Sequence, residues 1–256
     1  HVARKLREKV TLGGNVKIVN FKNDPLKPVI QLEAEEFTIT INAAPSEDFF
    51  KLNRFIPQTN NIKLKDEEQS ATPHNNFSLI FDCTIEKNQQ FLEAELKNHE
   101  NVKSAIKLLK IWLHQREFDA GFYGLNGFLV TYYLLHMLKS KKIYPTMSCY
   151  QIIRLFWNQF GHSQLEIKGI SLCTEKDLPN QPAVEDFHNF YDVVLVDHSG
   201  YCNLLSLLSV DLYRRIRYSC LAAIRLLDNR TVNSFQQLFL IEIPFYLQYD
   251  QIMAIK

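Results

Sequence analysis

Only a few stretches of this 256-residue chain bring together residue types that do chemistry. Glu33-Ala34-Glu35 places two acids two positions apart. On a strand such residues share a face, so the pair could hold divalent cations for nucleotidyl transfer. That chemistry also needs a phosphate-cradling turn a short, fixed distance upstream. Gly13-Gly14 lies too far back and leads into Asn15 rather than into a serine that opens a helix. A solvent-facing pair of acids on an edge strand is the plainer expectation. Asp197-His198-Ser199-Gly200 carries the residue types of a hydrolase triad. Consecutive residues cannot stack as nucleophile, base and orienter, so a strand-ending turn is expected there instead. His162, His188 and His198 lack the paired spacing of metal ligands. No metal site and no cofactor is expected.

One row remains. Lys103, Lys107, Lys110, His114 and Arg116 follow one another along a single helix, mostly at three- to four-residue spacing. They form a candidate RNA- or phosphate-binding strip, set against the default of a solvated helix face. Trp112, Tyr123, Tyr132 and Tyr133 could stack on bases, although core packing is the stronger expectation.

The elements that must position this row centre on residues 101–142. Val102, Ala105, Ile106, Leu109, Trp112 and Leu113 repeat at helical spacing and make one apolar stripe. Phe128, Leu129, Tyr132, Leu135, His136 and Leu138 leave a second helix almost no polar face. Gly121, Gly124 and Gly127 lie between the two and indicate a tight turn with a close helix approach. Upstream, VKIVNF and VIQLEAEEFTITINAAP read as strands. In the second, Glu36, Thr38, Thr40 and Asn42 are polar on one parity, and Phe37, Ile39 and Ile41 apolar on the other. Residues 57–76 read as a loop, FSLIFDCTI as a further strand, and Gln89 to Asn98 as a helix. Downstream, Thr146 or Ser148 caps a third helix whose apolar face includes Tyr150, and Gly161 ends it. LEIKGISLC and VVLVDHSGYCNLL return to strand character, with a loop over 174–186 between them. Ser209 caps a long helix, VDLYRRIRYSCLAAIRLLDN, and a shorter helix covers about 231–240. IPFYLQYDQIMAI closes the chain in extended form.

A hydrophobic content of 46%, a charged content of 22% and a net charge of +1 describe an ordinary globular chain without a global basic field. Nucleic-acid binding must therefore come from a local patch. Five scattered cysteines without CxxC spacing fit a reducing compartment. The most apolar run, Gly127 to Leu138, is too short to span a membrane, and KSKK suits a helix C-terminus. The chain opens on His1 rather than methionine, so a fragment lacking the first strand or two of its first domain is expected.

AIKLLKIWLHQREFDAGFYGLNGFLVTYYLLHML resembles the helical half of the poly(A) polymerase and oligoadenylate synthetase group, where a KxW helix precedes a glycine turn. Lys110, Trp112, Gly124 and Gly127 carry that likeness. With MSCYQIIR, LEIKGISLC, VVLVDHSGYCNLL, RYSCLAAIRLLD and FLIEIPFYLQYDQI in order, the chain resembles the nucleolar RNA-associated protein (Nrap) family over roughly residues 28–256. The resemblance implies an α+β fold: a partial nucleotidyltransferase-like sheet domain over 1–86, then a mainly helical poly(A) polymerase/oligoadenylate synthetase-like domain with a small sheet over 87–256. It implies a non-catalytic scaffold of the nucleolar small-subunit processome, acting in pre-rRNA processing. Its partners would be pre-ribosomal RNA, processome proteins and the remaining modules of the same parent chain, with no membrane. Active relatives carry a catalytic aspartate on the strand matching FTITINAAP. The matching positions here are Thr38, Thr40 and Asn42, and a hydroxyl or amide does not hold magnesium as a carboxylate does. His114 takes the place of a basic residue near the nucleotide phosphates and is mostly neutral at pH 7. The alternatives are a protein-binding scaffold that touches no RNA, and an active magnesium-dependent RNA nucleotidyltransferase whose carboxylates lie upstream of His1.

Overall fold

The computed structural model describes residues 4–5, 15–20, 27–33, 36–45, 49–62, 70–120, 124–175, 178–242 and 253. The chain divides into two compact units, His1–Phe50 and Lys51–Lys256. Residue 86, the expected boundary, lies within a continuous helix, Pro73–Leu96.

The first unit holds a three-stranded antiparallel sheet in the order β1 (Asn15–Asn20), β2 (Pro28–Glu33), β3 (Thr38–Ile41). The long stretch read as one strand is thus two, folded back on each other with Glu33 opposite Thr38 and Ile30 opposite Ile41. With side chains alternating between faces, this register gathers Val16, Ile18, Ile30, Leu32, Ile39 and Ile41 on one face. Lys17, Gln31, Glu33, Thr38 and Thr40 share the other.

The second unit is helical. α1 runs from Pro73 to Leu96 with proline in its first turn, where no backbone donor is needed. It takes in FSLIFDCTI, which is therefore helix and not strand. The apparent alternation of Phe77, Leu79, Phe81 and Cys83 misleads because the buried face is partly polar. Asn76, Ile80, Cys83, Thr84 and Asn88 recur at helical spacing and are buried. Thr84 Oγ1 donates to the Ile80 carbonyl at 2.9 Å, and Asn88 Nδ2 to Thr84 Oγ1 at 3.2 Å, so those polar groups are satisfied within the helix.

α2 (Glu100–His114) and α3 (Gly127–Lys139) form the expected central pair. Val102, Ala105, Leu109, Trp112 and Leu113 are buried, and so is α3 on nearly every side. The Asn126 side chain caps α3 by accepting from the Leu129 amide at 3.1 Å. α4 (Cys149–Gly161) opens with a capping box between Ser148 and Gln151. Tyr150, expected in its apolar stripe, is 55% exposed, and Ile152 is buried instead. α6 (Val210–Asp228) starts at Ser209, whose hydroxyl accepts from the Leu212 amide. Between α4 and α6 lie β4 (Ile170–Ser171), the short α5 (Val184–Phe187) and β5 (Leu195–Val196). The two strands are parallel and far shorter than the sequence suggested.

The core is aromatic. Tyr133 meets Phe156 and Phe160 edge to face, Phe160 meets Tyr213, and Trp112 lies 5.5 Å from Trp157. Trp157 stacks on Phe239 of a π-helical turn, Gln236–Leu240. Among the described residues no helix is long and apolar enough to cross a membrane. The closing segment read as extended lies outside the described residues, apart from Met253.

Candidate nucleic-acid interface

The expected basic row splits when folded. Lys107, Lys110 and His114 are exposed on α2, with Lys103 half-buried beside them. Lys103 is already engaged: its Nζ lies 2.7 Å from Glu100 Oε1 and donates to the Lys97 carbonyl. Lys107 and Lys110 make no ion pair among the described residues. The stem of Lys110 lies across Gly127, where an added Cβ would come within 2.6 Å of Lys110 Cδ. His114 Nδ1 sits 3.3 Å from Asp119 Oδ2 at the surface.

Arg116 leaves the row altogether. It is 7% exposed, and its Nη1 donates to the Leu238 carbonyl at 2.9 Å and the Trp112 carbonyl at 3.4 Å. Its guanidinium stands 5.2 Å from the Trp112 ring centroid. Burial pulls its pKa down to about 10, so it stays a cation at neutral pH. The reason is local. α2 ends at His114, and Arg116 falls in the turn after it, where its side chain can reach inward to cap the π-helical turn. Trp112, Tyr132 and Tyr133 are buried and do not present faces to a base. Tyr123 lies outside the described residues.

On the sheet, Thr38 and Thr40 occupy the polar face of β3, and Asn42 follows the strand. Among the strand residues of that face Glu33 is the one acid, and it pairs with Lys17 Nζ at 2.6 Å. It is therefore an ordinary surface ion pair, but on the central strand of the sheet and not on the edge strand that the sequence suggested, while Ala34 and Glu35 lie outside the described residues. No group of three or more His, Cys, Asp or Glu that could hold a metal ion occurs among the described residues.

The Asp197 motif is the expected turn. Asp197 Oδ1 accepts from the Ser199 amide and hydroxyl and from the Cys202 amide. The carboxyl is fully buried. Burial raises its pKa, while the Ser199 hydrogen bond and neighbouring His198 oppose the rise. Beside it is a cluster the sequence did not reveal. Tyr132 Oη donates to Asn88 Oδ1, His198 Nδ1 approaches Tyr132 Oη at 3.5 Å, and the His198 ring stacks on Phe91 at 4.3 Å. This network ties α1, α3 and the turn after β5 together. The one available signal was the recurrence of Asn76, Ile80, Thr84 and Asn88 at every fourth residue, which suits one face of a helix. Tyr132→Phe leaves Asn88 Oδ1 buried without its donor, so a loss of about 1–2 kcal/mol in unfolding free energy is expected. Urea titration followed by circular dichroism measures it.

A small sheet unit followed by a mainly helical unit resembles the nucleotidyltransferase fold of the terminal uridylyltransferases. The Cid1 RNA terminal uridylyl transferase aligns over 95% of this chain and 76% of its own, with a TM-score of 0.58 and 15% identity. A cytoplasmic RNA terminal U-transferase aligns over 95% and 78%, with a TM-score of 0.56 and 17% identity. At such identities the likeness is one of fold alone. Residues 1–98 match the profile of Nrap protein domain 1, and residues 101–242 that of the Nrap protein PAP/OAS-like domain. The chain belongs to the Nrap family. It is 31% identical to nucleolar protein 6 of Drosophila mojavensis over 99% of its length, and 32% identical to that of Xenopus laevis over 98%. The human nucleolar protein 6 is 31% identical over 86% of the chain. The chain spans only 20–23% of these relatives' own length.

Proposed function

We propose that this chain is a non-catalytic assembly module built on a degenerate nucleotidyltransferase. It acts within the small-subunit processome in pre-rRNA processing and small ribosomal subunit biogenesis, in the nucleolus. Its partners are pre-ribosomal RNA, processome proteins and the other modules of its parent chain. The division into a nucleotidyltransferase-like part and a PAP/OAS-like part belongs to this proposal; the family profiles change over between residues 98 and 101. The observation that carries the reading is the polar face of the sheet. Among the described strand residues of that face, Thr38 and Thr40 stand beside a single acid, Glu33, which is held by Lys17, where magnesium-dependent transfer requires converging carboxylates.

The test is primer extension with ATP or UTP and magnesium, in which no nucleotide is added. Tailing that disappears in Glu33→Ala/Glu35→Ala would overturn the proposal in favour of an active transferase. The RNA-binding part has its own measurement. Lys107 and Lys110 are the two exposed lysines of the α2 row that make no ion pair among the described residues. Reversing both to glutamate is expected to lower the slope of log affinity against log salt by about 1.4 for single-stranded RNA. An unchanged slope removes α2 as a contact surface.

A further inference from the structure

A second face of the helical unit has the makings of a single-strand RNA contact. Along α6, Arg214, Tyr218 and Arg225 fall at intervals of four and seven residues and so share one side of the helix. Tyr218 is 67% exposed, and the Arg225 guanidinium lies 5.9 Å from its ring centroid. Arg214 and Arg225 are exposed and make no ion pair among the described residues. The acids nearby are already neutralised. Arg154 of α4 holds Asp228 through two guanidinium nitrogens, at 2.8 and 3.2 Å, and Arg217 holds Glu166 at 2.8 Å. Asp211 lies in the first turn of α6, where the helix dipole favours a negative charge. Gly161 lets α4 approach α6, because a Cβ there would come within 2.8 Å of Leu221.

We infer that the Arg214–Tyr218–Arg225 face of α6 binds single-stranded RNA, with Tyr218 stacking on a base and the two arginines contacting phosphates. The inference rests on the reading that this module binds RNA and assigns that activity a second surface. A helix rises about 1.5 Å per residue, so the backbones of Arg214 and Arg225 sit about 6 Å and about 10 Å along the axis to either side of that of Tyr218, and the Arg225 side chain reaches back to within 5.9 Å of the ring centroid. This places cations on both sides of one flat, solvent-facing aromatic, the combination that single-strand binders use. A protein partner would need a wider apolar area to bury than one ring among polar neighbours supplies.

The experiment is fluorescence anisotropy of a short fluorescein-labelled oligouridylate with the 256-residue chain over a salt series. Tyr218→Ala is expected to weaken binding by about fivefold or more, and Tyr218→Phe to retain it. Arg214→Glu/Arg225→Glu is expected to lower the salt slope by about 1.4. Arg214→Gln/Arg225→Gln gives the same direction without introducing new negative charge. Binding that survives all of these but falls with Lys107→Glu/Lys110→Glu overturns this inference and leaves α2 as the RNA surface. A chain that binds no oligouridylate even at low salt overturns both.

Discussion

Replacing Trp112 with alanine is expected to destabilise the helical unit by about 3–5 kcal/mol, the range for deleting a fully buried aromatic. The side chain is 0% exposed. It packs edge to face against Phe118 at 5.9 Å, leans on Trp157, and carries the Arg116 guanidinium on its ring. Its removal thus opens a cavity and also takes away the surface that holds a buried cation. Trp112→Phe is expected to be milder, because the indole Nε1 makes no hydrogen bond among the described residues. Urea unfolding followed by far-ultraviolet circular dichroism separates the two. Tryptophan fluorescence is the wrong probe in a chain with only two tryptophans. If Trp112 instead served as a platform for a base, alanine would abolish RNA binding and leave the unfolding midpoint in place.

The same residue shows what the sequence could and could not disclose. The stripe from Val102 to Leu113 was legible because all its members are apolar and the period is unambiguous. The cap at Ser209 was legible because its hydroxyl directly precedes an apolar stripe of helical period, whereas the sequence left both Thr146 and Ser148 open as the cap of α4. α1 was not, because burial there is shared between apolar residues and the satisfied polar groups Asn76, Thr84 and Asn88, and a period of 3.6 drawn partly in polar residues resembles alternation. Arg116 was misplaced for a related reason. A cation two residues beyond a helix end does not continue that helix's surface, and its partner, the Leu238 carbonyl, lies 122 residues away. Local spacing carries no trace of such a contact. The absence of acid at Thr38, Thr40 and Asn42 needed only residue identities. By contrast, the fold-back of β2 on β3 needed the register that sets Glu33 opposite Thr38.

Gly124, between α2 and α3, and Gly127, the first residue of α3, should respond in opposite ways to the same substitution. At Gly124 an added Cβ would lie 2.6 Å from the backbone carbonyl carbon of Asp119 and 2.8 Å from its oxygen. Backbone cannot swing aside, and the nearby Leu125 amide is committed to the Phe118 carbonyl at 2.8 Å. Gly124→Ala is therefore expected to cost about 2–3 kcal/mol through overpacking. At Gly127 the obstacle is the flexible stem of Lys110, which can rotate away, and alanine is the better residue in a helix by up to about 1 kcal/mol. Gly127→Ala should leave the urea midpoint unchanged or slightly raised while displacing Lys110 from the position it holds on α2. If Lys110 contacts phosphate, that variant binds RNA more weakly despite equal or greater stability. Equal RNA affinity in Gly127→Ala and the parent chain would show that the lysine's placement does not matter, whatever the charge of α2 contributes. A Gly124→Ala chain as stable as the parent would show that the close approach of Gly124 to Asp119 relaxes freely, and would remove steric necessity as the reason for glycine at that position.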